Sequence, residues 1–140
     1  MSTDADELKR RSKAFAVRVV KLCRAMPHNL ETRTVESQVL RSATSVAANY
    51  RAVCRARSHP DFVSKIGIVV EECDETIFWL ELLVDLEIFP PPRVQPLLKE
   101  ANELLAIFAA SQLTAKQRAK SAIVNRQSAI VNSTGDRNNG

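Results

Sequence analysis

The large apolar residues of this chain recur at steps of three, four and seven, and at 100° per residue that spacing gathers them on one side of a helix. Leu8, Phe15, Val19, Leu22 and Met26 define a first helix over about 5–26, with Arg10, Lys13, Lys21 and Arg24 on its opposite side. Pro27 stops it, because proline disfavours the α conformation in the residue before it. Val35, Val39, Ala43, Val46, Tyr50 and Val53 predict a second helix over about 32–57, starting near Thr32 or Thr34. Ala43, Ser45, Ala47 and Ala48 keep its middle small, which favours close backbone packing over a wide pocket at that level.

Ser58, His59, Pro60 and Asp61 read as a helix start, with a capping hydroxyl and a proline in the first turn. The third helix, over about 59–88, carries two apolar stripes. Phe62, Ile66, Val69, Cys73, Ile77, Leu80 and Val84 form one, and Ile68, Trp79, Leu82 and Leu86 the other. A single bundle of this size covers only one of them, so the second predicts an oligomer interface. Pro90, Pro91 and Pro92 predict an extended connection to a fourth helix over about 93–115, marked by Val94, Leu97, Ala101, Leu104, Leu105 and Phe108.

The fold class that follows is all-α, an antiparallel up-down-up-down four-helix bundle in one domain, residues 1–120. The 3 glycines and 5% aromatic residues also suit a β protein poorly. In residues 121–140, Ser121–Asn125 is repeated as Ser128–Asn132, and the asparagines and the Gly/Asn-rich end predict a frayed or disordered tail without assigned function. Cys23, Cys54 and Cys73 match neither a disulfide framework nor zinc-ligand spacing, and read as core residues.

Charge is segregated: residues 1–60 hold twelve Lys and Arg against five Asp and Glu, whereas residues 61–105 hold three against ten. Arg51 and Arg55, one turn apart on the second helix, join the first helix's cations in a surface suited to phosphate backbones. The bland alternative is a solvated face whose arginines pair with the acidic third helix. Glu71, Glu72, Asp74 and Glu75 bring a di-iron bundle to mind, but His28 and His59 lie in predicted connections, so no metal or other cofactor is expected. No nucleophile elbow, phosphate-cradling glycine loop or His-Glu-x-x-His pair occurs, and an enzyme is not expected. No stretch is apolar enough for a membrane partner, and nothing resembles a secretory leader, which predicts a cytoplasmic protein.

The segment Gln38-Val39-Leu40-Arg41-Ser42-Ala43-Thr44-Ser45-Val46-Ala47-Ala48-Asn49 resembles the family of four-helix bundles encoded by intervening sequences of bacterial 23S rRNA genes. Ser58–Phe62 and Glu71–Leu83 continue the likeness, which spans about residues 8–114. The resemblance implies an up-down-up-down bundle, often a ring of five, with no established catalysis and a suspected association with RNA. It also implies kinship with accessory proteins of diversity-generating retroelements, which bind nucleic acid and a reverse transcriptase. The sequence departs where relatives carry Ile-Ala-Glu-Gly, having Tyr50-Arg51-Ala52-Val53 instead, which makes the second helix longer and more basic.

The reading is therefore a non-enzymatic homo-oligomer, a pentamer if it follows the family. It binds RNA or DNA backbone through Arg10, Lys13, Lys21, Arg24, Arg41, Arg51 and Arg55, and assembles through Ile68, Trp79, Leu82 and Leu86. The competing reading is an adaptor or scaffold that receives a partner protein's helix on the stripe of Trp79, Leu82 and Leu86 and has no nucleic-acid role.

Overall fold

A computed structural model of the chain describes residues 3–135, with side chains as far as Ser133. Four helices follow one another among the described residues, with no strand: α1 (Asp4–Cys23), α2 (Leu30–Val53), α3 (His59–Asp85) and α4 (Pro91–Gly135). Three of their starts are set by side chains that accept from otherwise unpartnered backbone N–H groups. Thr3 accepts from the Asp6 N–H, Asn29 from Thr32 and Ser58 from Asp61. At Asn29 the Thr32 hydroxyl oxygen also accepts from the Asn29 N–H, a reciprocal box that starts α2 before Thr32 rather than at it.

Helices α1, α2 and α3 stop three or four residues short of the ends expected from their periodicity. Each closes in a tight turn, as in the Ala56 N–H to Val53 carbonyl bond after α2. After α3, the Ile88 N–H reaches the Leu83 carbonyl and the Glu87 N–H that of Val84, with Glu87 at φ 58°. This is the terminus that glycine normally serves, since a Cβ is strained at such a φ. Glu87→Gly is expected to raise the unfolding free energy by about 1 kcal/mol, as read by chemical denaturation.

The proline run does not form an extended link. Pro91 and Pro92 open α4, where a missing N–H leaves no intrahelical bond unmade. Helix α4 also continues past the expected end near residue 115 and through both copies of the repeat to Gly135. No proline or glycine interrupts that stretch, and each asparagine disfavours the helix by only about 0.7 kcal/mol relative to alanine. Extending a helix already nucleated in the bundle also avoids the nucleation step that makes isolated short helices marginal. The remainder of the expected tail, residues 136–140, lies outside the described residues.

Sequential helices pack side by side, α1 on α2, α2 on α3 and α3 on α4, while α1 approaches α4 more loosely and closes the bundle. The core is the expected apolar side of each helix. Phe15 and Val19 from α1, Val39 and Val46 from α2, Ile66 and Leu80 from α3, and Leu104 and Phe108 from α4 are all fully buried. Tyr50 lies with its ring centroid 5.2 Å from that of Phe108. The buried hydroxyls of Ser12, Ser42 and Thr76 are satisfied within their own helices, as where Ser42 donates to the Gln38 carbonyl at 2.8 Å and Thr76 to that of Glu72 at 2.7 Å, whereas buried Thr32 donates to the Pro27 carbonyl ahead of α2 at 2.6 Å. No helix of the described residues is long and apolar enough to cross a membrane.

Candidate functional site

The small residues of α2 do two jobs. Ala43 and Val46 face inward and vanish into the core, but Ala47 and Ala48 turn towards the outer junction with α1. Together with Ala16 and Thr44 they floor an open groove of about 550 Å³, where tight packing was expected. Its walls are basic: Lys9, Arg10 and Lys13 from α1, Arg51 from α2 and Arg55 from the turn that follows it. Arg51 and Arg55 also border a second groove of about 630 Å³ on the α3 side, completed by Arg57, Ser58, Asp61 and Lys65. The two arginines thus form a ridge between adjoining basic hollows.

The cations differ in how far they are already neutralised. Lys9 pairs with Asp6 at 3.2 Å, Arg10 with Glu7, and Lys65 with Asp61 at 2.8 Å. Lys65 and the Arg57 N–H together hold the Asp61 carboxyl below the usual Asp range. Lys13, Arg51 and Arg55 make no ion pair among the described residues. Lys21 and Arg24 lie further along α1, outside both grooves, so the seven expected contact residues do not form one cluster.

Arg41 is spent elsewhere. Its guanidinium crosses to α3, pairing with Glu72 at 3.0 Å and with Glu75, while its Nε donates to Gln38 at 3.1 Å. Gln38, Arg41, Ser45 and Asn49 share one side of α2, and Asn49 donates to the Ser45 hydroxyl at 2.7 Å. These polar residues form a seam within and beside the α2–α3 packing rather than an array of open donors. Arg41 and, after it, the Trp79 indole N–H at 3.2 Å hold the Glu75 carboxyl below its usual value of 4.5. Because the folded value is the lower one, this interaction supports the fold above about pH 4.5 and is lost as pH falls through the folded value. Trp79 is the single tryptophan, so its fluorescence should report the loss, with a midpoint below 4.5 that rises in Arg41→Gln.

On the expected interface, Ile68 and Leu86 are 41% and 40% exposed, whereas Trp79 and Leu82 are half-buried against the core. Phe78, not singled out from the sequence, is the most exposed aromatic there at 54% and meets the Trp79 ring edge-on at 4.9 Å. Its position next to Trp79 off the main stripe concealed it. Cys23 and Cys73 are buried as expected, and burial pushes both thiols up to about 12. Cys54 is not a core residue: it follows the last turn of α2, is exposed and lines the α1–α2 groove.

The family model for the 23S rRNA-intervening sequence protein matches residues 6–110, three-quarters of the chain. This chain belongs to that family. A crystal structure of a protein of unknown function from the S23 ribosomal protein family of Bacteroides thetaiotaomicron superposes with a TM-score of 0.68 at 30% identity, covering 75% of this chain and 97% of that one. No curated protein matches. The basic grooves and the polar α2–α3 seam of this 23S rRNA-intervening sequence protein lie within the matched residues, and more than half of α4, residues 111–135, lies beyond them.

Proposed function

We propose that this protein is a non-enzymatic, self-associating four-helix bundle that holds an RNA backbone in the basic grooves flanking Arg51 and Arg55. The observation that carries the reading is the convergence of Lys13, Arg51 and Arg55, cations without a carboxylate partner among the described residues, on one open groove with small-residue footing. Such a groove admits a phosphate chain. It offers no aromatic platform for stacking, so binding is expected to be indifferent to base sequence. The family match supports RNA as the nucleic acid of choice. The exposed Ile68, Phe78 and Leu86 support α3 as the surface through which copies assemble.

The test is titration of a structured RNA at several salt concentrations. Affinity should fall steeply and linearly in log–log form, and bound RNA should slow alkylation of Cys54 in the groove. Absence of binding at low salt, or binding that leaves Cys54 equally reactive, would refute the assignment. An adaptor role, favoured by the exposed Phe78, would show instead as a stoichiometric protein partner retained in high salt with no nucleic acid.

A further inference from the structure

Ala115 is the last buried residue of α4 among the side chains described. There the helix passes the start of α3, with His59 Nε2 2.8 Å from the Ala115 carbonyl oxygen. Beyond it, residues 116–135 continue as helix for roughly 30 Å at 1.5 Å per residue, and no side chain described there is buried. The arm carries Lys116, Lys120, Ile123 and Ile130 on one side, at helical steps that Leu113 extends backwards. Leu113, Ile123 and Ile130 are all more than half exposed, and residues 104–135 contain no acidic residue. The seven-residue repeat is what places an isoleucine on this side twice.

The outer surface of α3 has the complementary make-up. Glu71, Asp74, Phe78, Glu81 and Asp85 follow one another at steps of three and four, all exposed. This acidic row with Phe78 at its centre spans roughly 21 Å, as does the arm from Lys116 to Ile130. Both rows have the alternating step of three and four that lets two helices pack along a seam.

We infer that the C-terminal arm of one copy packs along the acidic outer face of α3 on a second copy. An arm that runs on from the His59 end of the bundle points away from its own α3 and reaches that face only by breaking the helix, so the contact is made between molecules. Two different surfaces meet, making the contact heterologous, and successive copies close into a ring or continue as a filament. The inference rests on the proposal that α3 is the assembly surface and names what occupies it.

Light scattering on the nuclease-treated full chain, a chain ending at Ala115, and charge-reversed variants tests it. The full chain should be a multimer and the truncated chain a monomer with unchanged helicity per residue in the bundle. Asp74→Lys with Glu81→Lys, and separately Lys116→Glu with Lys120→Glu, should each dissociate it, and an equimolar mixture of the two variants should associate again. A truncated chain that stays multimeric would overturn the arm's role while leaving α3 assembly standing. A full chain that is monomeric at about 100 μM would overturn both. Truncation that weakens RNA binding without changing the mass would assign the arm to nucleic acid and refute the inference.

Discussion

Phe108→Ala should lower the unfolding free energy by about 3–5 kcal/mol, the range for removing a fully buried aromatic ring from a packed core. The ring is sealed from solvent in α4 and is the neighbour of Tyr50 on α2, so its loss leaves a void between two helices that cannot both move inward. Alanine is a better helix former than phenylalanine, so the loss is one of packing and not of helix propensity. Against a total stability of about 5–15 kcal/mol, the change should lower Tm by roughly 10–20 °C or unfold the chain outright. Phe78→Ala, at a ring more than half exposed, should stay within about 0.5 kcal/mol of the parent monomer. Equal effects of the two substitutions in thermal denaturation would mean that the core is misplaced.

Neutralising Lys13, Arg51 and Arg55 together to glutamine should produce the largest change in RNA binding. A cation that contacts one phosphate contributes about 0.7–0.9 to the slope of log affinity against log salt, so removing three should flatten it by about 2–3. Between 50 and 200 mM salt, the parent should therefore lose up to about 40-fold more affinity than the triple variant. Lys21→Gln with Arg24→Gln removes charge from α1 outside the grooves and should change the slope less than the groove variant does. If the two variants flatten the slope in proportion to the charges removed, the protein binds through its diffuse field and the groove has no special role.

The bundle was legible because packing of amphipathic helices depends on period alone, and every fully buried large side chain of α1 and α2 falls on the predicted stripe. Boundaries were less so. Periodicity continues into residues such as Met26 and Ile88 that pack from a turn as well as from a helix, so apolar spacing overran the true ends. The seam around Arg41 illustrates a second limit. Its composition is visible in the sequence, but whether an arginine on α2 faces solvent or reaches Glu72 and Glu75 depends on the rotation of α2 against α3, which pattern does not give. Ala47 and Ala48 meet the same limit, since a small residue lets a neighbour approach on one side of a helix and opens a groove on another.

The looser approach of α1 to α4 has a consequence for how the molecule breathes. Much of that junction's polar tie is Arg11, which reaches Glu100 and, at 3.1 Å, Glu103. Within the bundle, helix α1 is thus the stave whose amides should exchange first in native-state hydrogen exchange, swinging out on its contacts with α2 while α2, α3 and the packed part of α4 stay closed. Since Lys9 and Lys13 ride on that stave and Arg51 and Arg55 do not, a polyanion bridging them would clamp it shut and slow exchange through its whole length.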